Sequence, residues 1–325
     1  MKRRIAFAAV CLFLVGWSVF TPEQPVHQRD TSEVPEGPLS SAFGNKRTSD
    51  RLPTSKGDLV VSPLDHASIL LGWDGKAIYV DPTSPAIEDE KLPTADVVLV
   101  TEARFEHFDG VALERLRHPG TVVVAPASVA SQEPVEIVMN DGDVRDVGDL
   151  RVTAVPIAST LRGPAPGLLY HPRGRDHGYV LEMGGLRVYV SGDTECTPEM
   201  KALTGIDAAF VAVGPPWAMT PDEAAACVAA FRPKILFPYH DWHTDLTAVR
   251  ALAAQGIDVR VRDFYPRAER WRRDAVTACE QHLWGICRDR LELARLLDPE
   301  SEKDPRVIHA REQVRAWQSP FPPWW

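Results

Sequence analysis

Three short stretches of this chain concentrate side chains of the kind that bind cations and move protons. The first is Thr101-Glu102-Ala103-Arg104-Phe105-Glu106-His107-Phe108-Asp109. The second is Ser191-Gly192-Asp193-Thr194 and the third Tyr239-His240-Asp241-Trp242-His243. Each directly follows an apolar run, at residues 97–100, 187–190 and 235–238. Short apolar runs rich in β-branched residues read as strands. If these strands are neighbours, the three clusters converge on one edge of a sheet, where loops on a rigid scaffold build sites.

The surrounding pattern supplies such a scaffold. Further strands are expected at 59–61, 68–71, 77–80, 121–124, 152–155, 178–182, 208–213 and 258–260. Helices are expected at 110–117, 198–203, 221–231 and 246–255, the third with Asp222 and Glu223 at its positive end. Hairpins come first, then βα units, then hairpins and βα units again. That order predicts two packed sheets flanked by helices, not a doubly wound parallel sheet. No glycine-rich phosphate fingerprint follows the first strand. Beyond residue 265 the chain reads as helical and charged, over 271–297 and 305–317, before an aromatic-proline end. Residues 266–325 are therefore expected to form a helical extension packed on the core.

Composition narrows the function. The 325 residues carry 36 basic and 45 acidic side chains, a formal net charge of -9. A nucleic-acid binder needs a basic surface, so the expected partner is a small-molecule substrate. Lys2, Arg3 and Arg4 precede an apolar run at 5–20 that Thr21-Pro22 breaks. This is the pattern of a signal peptide or N-terminal anchor over residues 1–21, with membrane attachment through the N-terminus in the second case. The body is then exported: periplasmic, membrane-anchored or secreted. Residues 22–56, rich in Pro, Ser, Glu and Gly, read as a flexible linker to a domain at 57–265. Of the five cysteines, Cys11 lies in the leading segment and Cys279 and Cys287 are close enough to bridge. Cys196 has no adjacent base to make it a nucleophile.

Taken in order, these pieces resemble the metallo-β-lactamase superfamily. Asp65-His66-Ala67-Ser68 resembles its opening hairpin, Tyr79-Val80-Asp81-Pro82 the next strand, and Gly192-Asp193-Thr194 its Gly-Asp-Thr loop. Met219-Thr220-Pro221-Asp222-Glu223 and Pro238-Tyr239-His240 extend the likeness. The resemblance implies an α/β fold, an αβ/βα four-layer sandwich, and a hydrolase. In that family a Thr-His-x-His-x-Asp-His loop, a later His, the Gly-Asp-Thr aspartate and a late His hold two metals. Here the two loop His positions are Glu102 and Arg104, and no His occurs over 154–160. The second-metal positions correspond to Glu106, His107, Asp193 and His240.

Two readings follow. In one, Glu106, His107, Asp193 and His240 hold a single Zn²⁺ or another divalent cation, and Asp193 orients the attacking water. The protein is then an exported hydrolase of an ester, lactone or phosphoester bond. In the alternative no metal binds. Arg104 replaces the first cation, pairs with Asp193 or Glu106, and leaves a catalytically inactive binding protein on the same scaffold. Arg104 argues against two cations in either case. His66 is expected to pack beneath the site, Asp81 to buttress the loop as an acceptor, and Glu102 to pair with Arg104 or His107. His171 and His177 flank Arg173-Gly174-Arg175 in a loop rich in Gly and Pro, which either covers the site and meets an anionic substrate or is an exposed polar loop; His243 either replaces a missing ligand or faces solvent.

Overall fold

Apolar residues alternate along the strands, so each strand faces two different layers. Val97 and Leu99 point into one core cluster while Val98 and Val100 point into another. Phe237 and Tyr239 face inward while Leu236 faces the opposite side. A sheet apolar on both faces must be covered twice, and the chain meets this by stacking two such sheets between helices.

The computed structural model describes residues 49–87, 92–242, 244–297 and 302–318. The expected signal or anchor, residues 22–48 of the expected linker, His243 and the aromatic-proline end lie outside them. Among the described residues no helix is long and apolar enough to cross a membrane. The first sheet runs β1 (Asp50–Thr54), β2 (Gly57–Asp65), β3 (Ser68–Trp73), β4 (Lys76–Val80), β5 (Val97–Leu99), β6 (Val122–Pro126), β7 (Ile137–Met139) in spatial order. Strands β1 to β4 pair antiparallel and β4 to β7 parallel. The second sheet runs β14 (Asp258–Val259), β13 (Ile235–Tyr239), β12 (Ala208–Ala212), β11 (Leu186–Val190), β10 (His177–Met183), β9 (Leu150–Pro156), β8 (Val144–Val147). Its strands β8 to β11 are antiparallel and β11 to β14 parallel.

One apolar cluster fills the space between the sheets, with Phe210 stacked on Phe237 at 4.7 Å. Helices α1 (Ser84–Ile87), α2 (Gly110–Leu116) and α3 (Ala127–Ala130) cover the outer face of the first sheet. Helices α4 (Pro198–Lys201), α5 (Pro221–Phe231) and α6 (Thr247–Arg250) cover the second. The result is the four-layer αβ/βα sandwich. Thr220 and Glu223 form a reciprocal cap on α5, which fixes where that helix starts.

Several elements differ from the sequence reading. Residues 50–54, expected in the linker, form the edge strand β1, whose Pro53 an edge position tolerates. Strands β7 and β8 were not expected, and β8 is too exposed to show an apolar pattern. The helix expected over 271–297 is two helices, α7 (Pro266–Glu280) and α8 (Trp284–Leu297), followed by α9 (Pro305–Gln318). His282, at φ 58°, turns the chain between them. A Cys279–Cys287 disulfide ties α7 to α8, and a second disulfide joins Cys196 to Cys227 on α5.

Edge strand β1 is fastened to the far sheet by a charge clamp. Asp50 accepts from Arg262 Nε and Nη2 at 2.7 Å each and from Arg260 Nη1 at 3.0 Å. Both arginines follow β14 directly. Charge-assisted, two-pronged bonds of this kind are stronger than neutral ones, though the arginines are partly solvated. Asp50→Asn should lower the folding free energy by about 1–2 kcal/mol, read as a fall in the thermal midpoint. An unchanged midpoint would mean that apolar packing alone holds β1.

Candidate metal centre

Parallel pairing of β4 with β5 and of β11, β12 and β13 brings their C-terminal ends to one edge. There the loops carrying Asp81, Thr101 to Asp109, Gly192-Asp193 and His240 meet. The loop after β5 is held at both ends. Asp81 accepts from the Thr101 backbone N–H and hydroxyl, each at 2.7 Å. Asp109 caps α2 by accepting from Val111 N and Ala112 N, and also accepts from Ser84 N at 2.7 Å. Between them, His107 and Phe108 both donate backbone N–H bonds to Arg104 O, a tight turn that sets Arg104 and His107 side by side. Tyr179 Oη donates to Val100 O at 2.7 Å and ties the sheets together at this edge.

His107 is fully buried with Nδ1 2.8 Å from Asp81 Oδ2. A carboxylate there keeps a proton on Nδ1 and turns Nε2 to the cleft, where its lone pair is free once the imidazole is neutral. Nε2 lies 3.5 Å from Asp193 Oδ2 and 3.6 Å from Glu102 Oε1. His240 Nδ1 lies 3.2 Å from Asp193 Oδ1, and His171 Nδ1 lies 3.2 Å from Glu102 Oε2. Two groups of ligand atoms result, each within 4.8 Å: His107, Asp193 and His240, and Glu102, His171 and Asp193. Asp193 belongs to both.

The polar atoms of these groups are buried without hydrogen bonds. Both oxygens of Glu102 and of Asp193, both ring nitrogens of His171 and of His240, and Nε2 of His107 are all in this condition. Buried polar groups are nearly always satisfied, so a cluster of orphans pointing at one another marks a site built for something charged. Imidazole and carboxylate are donors that suit divalent cations. The residues present therefore fit a metal.

Electrostatics agree with this reading. Burial opposes protonation of His107, but Glu102, Asp193 and Asp81 outweigh it and hold the imidazole pKa well above its ordinary value. Burial also opposes ionisation of Asp193, yet His240 and His107 pull its carboxyl far below the usual range. Burial dominates at His240 and lowers its pKa to about 4. A buried carboxylate thus sits between one imidazole whose cationic form is favoured and one whose cationic form is disfavoured.

The remaining sequence-predicted residues fall around this core. Glu106 is buried beside it but belongs to neither group of three. Its Oε2 lies 3.6 Å from Arg104 Nε, and burial raises its carboxyl pKa against the pull of His107 and Arg104. Arg104 pairs with Glu106 and, at 3.9 Å, with Glu102, not with Asp193. The His66 ring packs against His240 at 4.1 Å and Trp242 at 4.2 Å. His66, Asp81, His240 and Trp242 all have φ between 47° and 57°, a left-handed conformation that costs energy in residues other than glycine. Gly192 has φ 61°, and a Cβ there would lie 2.5 Å from Ile157 Cδ1. Glycine takes this conformation without strain and leaves room for Ile157 and Thr101 where the chain turns into Asp193.

His171 is the residue that sequence reasoning missed. The sequence left its loop either covering the site or exposed and gave His171 no role as a ligand; His171 is 1% exposed and sits against Glu102. Ser159 N donates to His171 O at 2.9 Å, closing residues 159–171 into a strap that begins and ends at the site. Glu195 pins it by accepting from Thr160 N and Oγ1, Leu161 N and Arg162 N. The available signal was Glu102: a carboxylate where the family has a ligand asks for a new partner. His177 is buried too, but its ring stands over Tyr179.

Residues 61–240 match the family described as the Beta-lactamase superfamily domain. A UPF0173 metal-dependent hydrolase of Symbiobacterium thermophilum is 32% identical over 195 residues, covering 56% of this chain and 80% of the relative. Another, from Anaeromyxobacter sp. (strain K), is 28% identical over 207 residues, 57% of this chain and 76% of its own. Among solved structures, a candidate metal-dependent hydrolase of Parabacteroides distasonis superposes with a TM-score of 0.63 at 37% identity. It covers 67% of this chain and 99% of that one. A metallo hydrolase of Ignicoccus hospitalis, 20% identical with a TM-score of 0.50 over 62% of this chain and 93% of its own, shares the fold. By the extent of these matches the chain belongs to the beta-lactamase superfamily and, within it, to the UPF0173 metal-dependent hydrolases.

Proposed function

We propose that this chain is an exported hydrolase that holds a divalent cation, zinc by preference, on His107, Asp193 and His240. Its substrate is a small molecule with an ester, lactone or phosphoester bond. The observation that carries the reading is the set of buried, unbonded donor atoms on those three residues. Two imidazoles and a carboxylate match the three protein ligands and open position of catalytic zinc. A bound cation of this kind supplies a water acidified towards neutral pH and a Lewis acid for the scissile group. The chain's own residues orient the parts. Asp81 keeps the His107 proton on Nδ1, and Asp193 has a second oxygen with which to align the attacking water. Glu106, with its raised carboxyl pKa, stands by as a further proton carrier.

A second reading has its own observation. Glu102 and His171, both buried and unbonded, form with Asp193 a group that suits a second cation. A catalytically silent protein remains the alternative, in which Arg104 and protonated His107 alone balance the carboxylates. Export is supported by the charged-then-apolar N-terminus and by two disulfides, which persist in oxidising compartments.

Metal analysis of the purified mature protein separates these readings. One equivalent that disappears in His107→Ala and in His240→Ala supports the hydrolase. A second equivalent lost in His171→Ala, with the first retained, supports the two-cation form. A preparation that holds no metal and takes up neither Zn²⁺ nor Mn²⁺ leaves only the silent protein.

Cation uptake should also release protons. The raised pKa of His107 favours its protonated form in the metal-free protein, and only the neutral imidazole ligates. Apparent affinity should therefore fall as pH is lowered. Calorimetry in buffers of different ionisation enthalpy should show about one proton released per ion near pH 7. Uptake with no proton release would mean that His107 is not a ligand.

Expression of the full chain in a Gram-negative host should place it outside the cytoplasm, read by cell fractionation. Recovery of all of it in the soluble cytoplasm would remove export from the proposal.

A further inference from the structure

Arg104 is chemically unfinished. Its Nε lies 3.9 Å from Glu102 Oε2 and 3.6 Å from Glu106 Oε2, both beyond hydrogen-bond range. Its guanidinium carbon stands 5.5 Å from the centroid of the Trp217 ring, and a quarter of the side chain, 24%, is open to solvent. A planar fork beside an aromatic ring, ion-paired only at long range and making no close hydrogen bond, is arranged to receive planar or tetrahedral oxyanions.

Its position says where on the substrate that anion lies. Arg104 is in the turn that carries His107 and borders Glu102, so it faces the reacting group and not a distant substituent. A carboxylic ester or lactone has no charge at its scissile bond. A phosphoryl ester does. The nearby carboxylates of Glu102, Glu106 and Asp193 set an upper limit on that charge, because a doubly charged phosphomonoester would face all three.

The surroundings of Arg104 are aromatic and apolar. Trp217 lies 6.1 Å from Tyr170 and 6.3 Å from Trp242 between ring centroids, and Trp242 leads through His66 to His240. At the rim, Phe105 is 78% exposed and Leu161 80%, and Leu168 and Leu169 are exposed as well. The leucines sit on the pinned strap of residues 159–171, next to Tyr170, so they are held out and not merely frayed. Large apolar groups held in solvent beside a site mark what it contacts.

We propose that the substrate is a singly charged phosphodiester bearing an aromatic or alkyl substituent. Arg104 takes its non-bridging oxygens, and the Trp217 wall with the leucine rim takes the substituent. In hydrolysis, the water oxygen bonds to phosphorus and the phosphorus–oxygen bond to the substituent breaks. One water proton leaves with the alcohol and the other goes to solvent. The product is a phosphomonoester with an added negative charge, which the surrounding carboxylates help to expel. Turnover rests on the hydrolase reading; recognition does not.

Binding and turnover are therefore tested separately. Diphenyl phosphate, a slowly reacting monoanion, is titrated calorimetrically into the cation-loaded protein. It should bind more tightly than phenyl phosphate. Arg104→Met should weaken it by about tenfold or more, with Arg104→Lys in between. Trp217→Ala should weaken diphenyl phosphate but not dimethyl phosphate. Bis(p-nitrophenyl) phosphate should be cleaved in preference to p-nitrophenyl phosphate and p-nitrophenyl butyrate. Unchanged diphenyl phosphate affinity in Arg104→Met of unchanged metal content overturns the proposal, as does tighter binding of phenyl phosphate. If that variant does not fold, unchanged affinities in both Arg104→Lys and Trp217→Ala overturn it equally. Intact, Arg104-dependent binding with no turnover of any ester removes the hydrolase reading and leaves this one standing. Turnover of the neutral ester without diphenyl phosphate binding does the reverse.

Discussion

The carboxylate of Asp193 is the constraint around which the rest is arranged. It is wholly buried, both oxygens lack hydrogen bonds, and it stays ionised because two imidazoles flank it. Removing a carboxylate from water costs several kcal/mol, so the fold must bring compensating charge to it. Parallel pairing of β11, β12 and β13 does this by ending two strands at the same level, one leading into Asp193 and the other into His240. Gly192 permits the turn, and Gly192 N donates to Tyr239 Oη at 3.1 Å, locking the two strand ends together. The strained conformations of His66, Asp81, His240 and Trp242 gather at the same edge, where packing of both sheets overdetermines them.

Much of the framework was legible because it is written in local patterns. The runs at 97–100, 187–190 and 235–238 are almost wholly apolar and end in polar loops, so both strands and site edge follow from them. The motif-bearing loops named Glu102, Arg104, His107, Asp193 and His240 for the same reason. The structure brings His107, Asp193 and His240 within ligand distance of one another and leaves Glu106 just outside. Strand β8 escaped because its side chains are exposed and show no period, and β1 because it carries one apolar residue besides Pro53. The Cys196–Cys227 bond escaped because it depends on how α5 docks, which no local pattern states.

His171 illustrates the limit more sharply. Nothing in the composition of residues 159–171 distinguishes a buried strap from a surface loop, since Gly and Pro suppress periodicity in both. Its burial is decided by Glu195, which binds four groups of the strap, and by Glu102, a residue from the other sheet. A ligand lost from one segment of a site can be replaced by one from any segment whose chain passes nearby. Linear motif spacing then reports a missing residue where the folded cleft has a substitute.

Charge balance connects the number of cations to the kind of substrate. Asp81, Glu102, Glu106 and Asp193 bring four carboxylates to the cleft, and among the described residues bordering it Arg104 is the one permanently charged cation. With a single divalent ion the ionised site stays one charge negative, unless Glu106, whose pKa burial raises, keeps its proton. With a second ion on Glu102 and His171 it becomes one charge positive and attracts a monoanion outright. An anionic substrate therefore favours either a protonated Glu106 or a second cation, and the two differ in pH dependence. In the first case phosphodiester binding weakens as pH rises through the Glu106 titration. In the second it persists, because the positive charge does not depend on a proton.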